Sequence, residues 1–222
     1  LYVVHMNCEE DLAELLAARA RGVEILGETC PQYLLLDESA LARGGLEGAR
    51  HICSPPLRPA SHQEPLWQGL LRGDIHTVGT DHAPFTDADK ARGLDDFRRV
   101  PNGLPGIEHR LRLLWTEGVV KRGMSVERFV DATSAAAARI FGLFPRKGCL
   151  APGSDADVVV WDPTWVDVIG EHHMGTDFDP YAGRQVVGRA ELVLRRGEVI
   201  AREGEPVGSG GGQYLSRGTY PG

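Results

Sequence analysis

Apolar and polar positions change period several times along the first third of the chain. The run "LYVVH" (1–5) is apolar up to a histidine and predicts a buried strand, whereas "EEDLAELLAARAR" (9–21) has its apolar positions at helical spacing. The stretches "VEILGETC" (23–30) and "DIHTVGTDHAPF" (74–85) predict two further strands, with a short amphipathic helix at "SHQEPLWQGLLRG" (61–73) between them. Strand, helix and strand at this spacing indicate parallel βα units, part of a barrel or of a doubly wound sheet.

Polar residues dominate the next stretch, "TDADKARGLDDFRRVPNGLPG" (86–106), which is too long for a plain connection. We predict that it is a loop that covers an active site. Helical spacing then returns and predicts two helices, at 107–123 and 125–143, the second with Ser125 as its N-cap.

Short Val-rich runs broken by Gly, Asp and Pro predict a small separate sheet from residue 145 onward. Within it, "AELVLRRGEVIAREGEPV" (190–207) predicts a hairpin that turns at Arg196 and Gly197. Arg146 and Lys147 precede this sheet, and we expect their side chains to hold the chain where it enters.

The composition limits the kinds of protein that these elements can form. Of the 222 residues 42% are hydrophobic and 25% are charged, which is typical of a globular protein with a substantial core. The net charge of -7 and the scattered arginines argue against nucleic acid as a partner. No apolar run approaches the roughly 18 residues of a membrane span, and "LYVVH" lacks the basic start of a signal peptide. The four cysteines form no C-x-x-C pair, so we expect a cytoplasmic protein with reduced core thiols and no membrane partner.

Two candidate metal ligands stand where predicted strands end. In parallel βα barrels the carboxyl ends of the strands line the active site, which places His5 and Asp81 on the same face. A neutral imidazole and a carboxylate suit an ion such as Zn²⁺, and a carboxylate beside an activated water can also take its proton. The alternative is a hydrogen-bonded core histidine and an ordinary "TDH" turn, and the spacing alone leaves both interpretations open.

Six segments in the same order carry a resemblance to a known family. They are "GETCPQYLLLD", "SPPLRP", "GTDHAPF", "DDFRRVPNGLPGIEHR", "IFGLFPRKGCLAPGSDADVVVWDP" and "GQYLSRGTY". Together they closely resemble the hydantoinase and dihydropyrimidinase family of cyclic amidohydrolases, over essentially the whole chain. The resemblance implies an α/β fold: the C-terminal part of a TIM-like (β/α)8 barrel (1–144), a small β-sandwich segment (145–207) and a flexible C-terminal tail (208–222).

The same resemblance implies a site for two zinc ions. Members of the family bind the ions with an H-x-H pair, a carboxylated lysine, two single histidines and an aspartate. By motif, His5 matches the second single histidine and Asp81 matches the aspartate, while the other ligands would precede Leu1. We therefore expect this chain to be the C-terminal half of the enzyme and to be inactive when isolated. Sites of this type also accept Mn²⁺ or Co²⁺.

The implied reaction is hydrolysis of a cyclic amide, a hydantoin or a dihydropyrimidine, to the N-carbamoyl amino acid. Asp81 would act as general base and then as general acid. Ser54 and Asn102 match positions that bind the imide edge of the substrate, although both are also ordinary turn residues. His82 follows Asp81 directly and would help to orient it. The family also implies a homodimer or a homotetramer.

Three other interpretations stay open on the sequence. A non-catalytic scaffold related to dihydropyrimidinase would keep the fold and lose the ligands, whereas His5 and Asp81 are both present. A stand-alone fold without activity would leave an unpaired sheet edge and an incompletely covered core. Allantoinase is the alternative within the enzyme class, and "GETCPQYLLL" favours hydantoinase over it.

Overall fold

A three-stranded parallel sheet lies at the start of the chain in the computed structural model, which describes residues 1–208 and 210–220. The strands are β1 (Tyr2–Val3), β2 (Leu26–Thr29) and β3 (Thr77–Val78), with β2 between the other two. The predicted parallel βα arrangement is therefore confirmed. In the described residues this sheet is not closed into a barrel.

Helices connect and flank these strands. They are α1 (Glu9–Ala20), α2 (Pro31–Leu35), α3 (Gly45–Arg50) and α4 (Gln63–Arg72), with 3₁₀ turns at Glu38–Arg43 and Ala60–His62. Acidic residues fill the first turn of α1, where the helix dipole favours negative charge. One of them, Asp11, accepts hydrogen bonds from the backbone N–H groups of Asn7 and Cys8. These bonds fix the start of α1 directly after His5.

The predicted strands at 1–5 and 74–85 are longer than the observed ones. β1 ends at Val3 and β3 ends at Val78. Beyond each strand the backbone enters the left-handed region, at φ 58° in His5 and φ 46° in Asp81, where an extended strand cannot continue.

The prediction of a long polar loop at 86–106 is wrong in part. The stretch contains α5 (Asp87–Ala91) and a 3₁₀ turn at Phe97–Arg99. The Thr86 hydroxyl donates to the Asp89 carboxylate at 2.7 Å and accepts from the Asp89 N–H at 3.2 Å. This reciprocal capping begins a helix even in a polar sequence.

Contacts divide the chain into two compact units. The first comprises Leu1–Arg110 and Val168–Arg184, and the second comprises Leu111–Asp167 and the chain from Gln185 onward. The predicted boundaries after residues 144 and 207 concern the domains of the complete protein and stay a prediction.

Wider, π-helical turns interrupt the two helices predicted at 107–123 and 125–143. The first helix is α6 (Arg110–Leu114), continued by a π-helical turn at Trp115–Val120; the second is α7 (Val126–Val130) and α8 (Ala136–Ile140), joined by Asp131–Ala135. The Ser125 hydroxyl accepts a hydrogen bond from the Arg128 N–H at 3.1 Å, which confirms Ser125 as the N-cap.

A four-stranded sheet occupies the C-terminal part of the chain. Its strands, in spatial order, are β4 (Val158–Val168), β5 (Gln185–Arg195), β6 (Glu198–Arg202) and β7 (Glu205–Pro206). Strand β6 pairs antiparallel with both β5 and β7. The predicted hairpin is confirmed, and its turn residues Arg196 (φ 50°) and Gly197 (φ 83°) both take the positive φ of a type I′ turn. Membership of this sheet in a β-sandwich stays a prediction.

Ion pairs hold the chain where it approaches this sheet, as predicted. Lys147 Nζ lies 2.9 Å from the Asp155 carboxylate and also pairs with Asp157. Arg146 Nε donates to Asp155 at 3.0 Å. Hydrogen bonds from Lys147 are the largest cause that lowers the pKa of both aspartates.

An aromatic cluster lies in the core of the second unit. The Trp115 ring centroid is 5.2 Å from that of Phe129 and 5.5 Å from that of Trp161. Gly188 of β5, at φ 82°, approaches so closely that a Cβ on it would lie 2.8 Å from each tryptophan ring. Glycine is therefore required there by both backbone conformation and space.

Residues 210–220 form neither helix nor strand. Within them the Gly218 N–H donates to the Gly142 carbonyl at 2.8 Å. The predicted flexible tail (208–222) includes Ser209, Pro221 and Gly222, which lie outside the described residues. In the part of the chain that the structure describes, no helix has the length and apolar character needed to cross a bilayer.

Candidate metal centre

The structure brings His5 and Asp81 together beyond the carboxyl ends of the two outer strands, β1 and β3. His5 Nε2 lies 3.7 Å from Asp81 Oδ1, and both side chains are partly exposed. Each residue has a positive φ, a conformation that costs a non-glycine residue about 1–3 kcal/mol and that clusters at functional sites. The sequence predicted the position of both residues on one face, and it could not have predicted this backbone conformation.

Glu28 of β2 lies on the other side of the His5 ring. Its Oε1 is 3.4 Å from His5 Nδ1, and its Oε2 accepts a hydrogen bond from the Tyr2 hydroxyl at 2.6 Å. The Tyr2 hydroxyl also lies 2.7 Å from the Thr77 hydroxyl. Sequence reasoning missed Glu28, although a carboxylate inside a predicted buried strand was a usable signal.

Gly79 makes room for the Glu28 carboxylate. A Cβ built on Gly79 would lie 2.8 to 2.9 Å from the Glu28 carboxylate atoms. The Gly79 N–H donates to the Thr29 carbonyl at 2.9 Å, which fixes the backbone at this position. The absence of a side chain on Gly79 therefore determines where Glu28 can sit.

Two further groups surround this carboxylate and imidazole. The buried Cys30 Sγ is 3.6 Å from His5 Nδ1, and burial raises the pKa of its thiol. The Arg110 guanidinium donates to the Val78 carbonyl at 2.6 Å. Burial lowers the pKa of Arg110, and the negative charge of Glu28 opposes that shift. The site thus combines an imidazole with carboxylates and a buried cation.

The donor atoms at this site are of the types that bind a transition-metal ion, but they are too few to complete its coordination. His5, Glu28 and Cys30 offer ligand atoms within 4.8 Å of one another, and Asp81 adds a carboxylate on the opposite side of His5. Glu28 bonds to Tyr2 and Cys30 is buried on the Nδ1 side of the ring, so the partly exposed imidazole Nε2 and Asp81 carboxylate are the donors that face each other. Nitrogen and oxygen donors of this kind fit Zn²⁺, Mn²⁺ or Co²⁺. Two donors leave coordination positions to be filled from elsewhere.

The two segments predicted to bind substrate also lie together. Ser54 and Asn102 are both exposed, and the Gly103 N–H donates to the Ile52 carbonyl at 3.0 Å. Lys90 of α5 is buried between them and donates to the carbonyls of both segments. Sequence reasoning missed Lys90, because it lay in a stretch predicted to be a polar loop.

His82 bonds to the backbone that follows Asn102. Its Nδ1 accepts hydrogen bonds from the N–H groups of Gly106 at 3.2 Å and Ile107 at 3.4 Å. Burial lowers the pKa of His82, which favours the neutral ring that these bonds need. The contacts join His82 to the segment predicted to bind substrate, and its role in orienting Asp81 stays a prediction.

Comparison with known proteins gives one family and a set of close relatives. The sequence profile of the amidohydrolase family matches residues 3–193. The D-hydantoinase of Streptomyces coelicolor is 48% identical over 99% of this chain and 48% of its own length. The D-hydantoinase of Geobacillus stearothermophilus is 45% identical over 99% of this chain and 48% of its own length.

Solved structures agree with these relatives. The dihydropyrimidinase from Brevibacillus agri superposes with a TM-score of 0.96 at 46% identity and covers 99% of this chain and 49% of that one. The chain spans about half the length of the curated relatives it matches.

Proposed function

The chain belongs to the amidohydrolase family, and from this premise we propose that the complete protein opens a cyclic amide, a hydantoin or a dihydropyrimidine, to the N-carbamoyl amino acid. Members of this family are generally metal-dependent. The relatives named D-hydantoinase and dihydropyrimidinase support this choice of substrate. This chain would be the C-terminal half of the enzyme, with part of a TIM-like barrel followed by a β-sandwich segment.

The observation that carries the proposal is the His5–Asp81 pair, 3.7 Å apart, with both residues at positive φ. The two side chains come from separate strands of one parallel sheet and meet beyond their carboxyl ends. This is where barrel enzymes carry their catalytic groups. Positive φ at two adjoining polar residues fits a catalytic centre, because strained backbone clusters at active sites.

His5 and Asp81 would hold part of a two-zinc centre in the complete protein. When bound, the metal supplies positive charge that polarises the ring carbonyl and makes the attacking water more acidic. The Asp81 carboxylate accepts the proton of that water and delivers it to the ring nitrogen as the C–N bond breaks. The same residue thus acts first as a base and then as an acid.

The remaining polar residues would bind and orient the substrate. We assign the imide edge of the ring to the segments of Ser54 and Asn102, which Lys90 and the Gly103 N–H tie together. His82 bonds to the backbone that follows Asn102 and would orient its neighbour Asp81. A homodimer or homotetramer and a cytoplasmic location stay predictions.

Two alternatives compete with a hydantoinase. Allantoinase would act on allantoin, and the names of the D-hydantoinase relatives favour a hydantoin substrate instead. A non-catalytic scaffold would have lost its metal ligands, whereas His5 and Asp81 are intact and adjacent here.

A substrate panel tests the proposal. The complete protein, loaded with Zn²⁺, is incubated with hydantoin, 5-phenylhydantoin, dihydrouracil and allantoin, and the N-carbamoyl or allantoate product is quantified. We expect turnover of a hydantoin or of dihydrouracil and much less of allantoin. Preference for allantoin would replace the proposed substrate, and a zinc-loaded protein that opens none of the four rings would favour the scaffold.

A further inference from the structure

Lys90 is the buried one of the three lysines in the sequence, with 2% of its surface exposed. Its ammonium donates three hydrogen bonds, to the carbonyls of Pro101 at 2.7 Å, Gly103 at 2.9 Å and Ile52 at 3.0 Å. The Phe85 ring lies 5.4 Å from Nζ and covers the charge on another side. The three N–H groups of an ammonium are therefore all used by backbone acceptors.

Burying a charged amine is unfavourable unless its hydrogens find acceptors. The three acceptors are carbonyl groups of two chain segments that are far apart in sequence, so Lys90 acts as a cross-link between them. An uncharged side chain of the same length would fill the space and would tie nothing together. The position of the ammonium thus matters more than its bulk.

Both cross-linked segments carry a residue assigned to the substrate. Ile52 lies two residues before Ser54, and Pro101 and Gly103 stand on either side of Asn102. The Gly103 N–H donates to the Ile52 carbonyl at 3.0 Å, which joins the same two segments directly. The ammonium and this backbone bond together hold the segments of Ser54 and Asn102 at one spacing.

The helix that carries Lys90 is itself anchored. Thr86 and Asp89 cap its start, and Arg50 of α3 donates to the Asp87 carboxylate at 2.7 Å. The backbone from which the Lys90 side chain extends is therefore held from two directions. Lys90 can transmit this fixed position to the carbonyls that it binds.

We propose that Lys90 is a positioning residue for substrate binding: its ammonium sets the spacing between the Ser54 and Asn102 segments, which grip the imide edge of the ring. This rests on the proposed function, because it takes those two segments as the substrate site. Lys90 touches neither His5 nor Asp81 in the hydrogen bonds that the structure gives it. Loss of Lys90 should therefore weaken binding of the ring strongly and slow the chemical step only slightly.

The test is Lys90→Met in the complete zinc-loaded protein, with Lys121→Met as the matched control. Lys121 is exposed and pairs only locally, with Glu117 at 2.8 Å. We expect Lys90→Met to raise KM for the ring substrate by about tenfold or more, with kcat changed by less than about threefold and zinc content unchanged. Lys121→Met should leave KM and kcat at wild-type values.

Amide hydrogen exchange gives a second readout that needs no substrate. In Lys90→Met, the Gly103 amide and its neighbours at 50–56 and 100–106 should exchange faster, while exchange in α1 and in the β5–β6 hairpin stays unchanged. Uniformly faster exchange over the whole chain, with KM unchanged, would reduce Lys90 to a residue of general stability and overturn the proposal.

If Lys90→Met does not fold, a milder variant can still test the proposal. Asp87→Ala removes the link from Arg50 to α5 and leaves the ammonium in place, so KM should rise by a smaller factor. An unchanged KM in a folded Lys90→Met or, failing that, in Asp87→Ala contradicts the proposal. If the wild-type protein opens no ring, the proposed function fails instead, and local exchange alone decides whether Lys90 joins the two segments.

Discussion

His5 and Asp81 share a backbone conformation that few non-glycine residues adopt, with φ of 58° and 46°. A positive φ at each residue turns the chain directly after a strand of the parallel sheet. Such conformations persist only where the surrounding structure enforces them. Here the enforced feature is the close approach of an imidazole and a carboxylate.

Glu28 should determine how well His5 can serve as a ligand. Its carboxylate lies 3.4 Å from His5 Nδ1, where it can hold the Nδ1–H tautomer and leave Nε2 for a metal ion. We expect Glu28→Gln to weaken zinc binding by roughly 10- to 100-fold, measured by competition with a chelator. The exposed Glu14→Gln is the control and should bind zinc normally.

Displacing the same carboxylate without removing it should have a similar effect. In Gly79→Ala the new Cβ would meet the Glu28 carboxylate at 2.8 Å, and the flexible side chain would move. Zinc affinity should fall although every polar group is retained. Gly175→Ala, where nothing lies within 4 Å, is the control. Normal zinc affinity in Gly79→Ala would mean that the position of Glu28 is unimportant.

Lys90 should make substrate binding sensitive to alkaline pH. Burial lowers the pKa of Lys90 from 10.5 to about 8, and the Cys53 thiol and the His51 ring are the other titratable groups that face it. Above pH 8 the amine loses its third hydrogen, so KM should rise. We expect KM to rise with pH in the wild type and to stay constant in Lys90→Met. Identical pH profiles of KM in the two proteins would contradict this role.

The free energy of unfolding should rise with pH over the range in which substrate binding weakens. Because the folded-state pKa of Lys90 is lowered, the unfolded chain binds more protons between about pH 8 and 10.5. The contribution of Lys90 to the free energy of unfolding should therefore increase with pH there. Denaturant titrations of the wild type and Lys90→Met at both ends of this range measure it.

Elements with strong local signals could be predicted from the sequence. The helical period and the acidic first turn predicted α1. Ser125 predicted an N-cap, and Arg196–Gly197 predicted a hairpin turn. The capping of α5 was also local, through Thr86 and Asp89, and was overlooked in a polar stretch. The contacts of Glu28 with Tyr2 and His5 depend on strand pairing, which no local pattern specifies.

Strand β5 depends on a glycine at one position. In Gly188→Ala the added Cβ would lie 2.8 Å from Trp115 and Trp161, and φ 82° would be strained as well. Gly204→Ala carries the same strain, at φ 93°, in open space. We expect Gly204→Ala to lower the free energy of unfolding by about 1 kcal/mol. Gly188→Ala should lower the free energy of unfolding by roughly 1–3 kcal/mol more than Gly204→Ala does. Equal losses of stability in the two variants would show that the tryptophan rings can move aside without cost.

Alignment with the D-hydantoinase relatives includes nearly all of this chain but only about half of each relative. The parallel arrangement of β1, β2 and β3 was predictable from alternating strand and helix patterns, whereas a closed barrel requires more strands than the described residues supply. The proposed ligands His5 and Asp81 are likewise two members of a larger predicted set. The proposed two-zinc centre therefore needs more ligands than these two.

The isolated 222-residue polypeptide should therefore be inactive. Two ligands without a bridging carboxylate should not hold a pair of zinc ions at neutral pH, so hydantoin and dihydrouracil should stay intact. Metal content after dialysis and product formation measure both points. Turnover at the level of the complete enzyme would refute the need for further ligands.

Replacement of Asp81 is the decisive measurement. In the complete zinc-loaded protein, kcat for ring opening is compared between the wild type, Asp81→Ala and the exposed-loop control Asp95→Ala, together with zinc content. Loss of a ligand and of the proton carrier should lower kcat by at least about a hundredfold in Asp81→Ala, with reduced zinc and with the control unaffected. A zinc-loaded Asp81→Ala protein that opens the ring at the wild-type rate would contradict the assignment of this site as the catalytic metal centre.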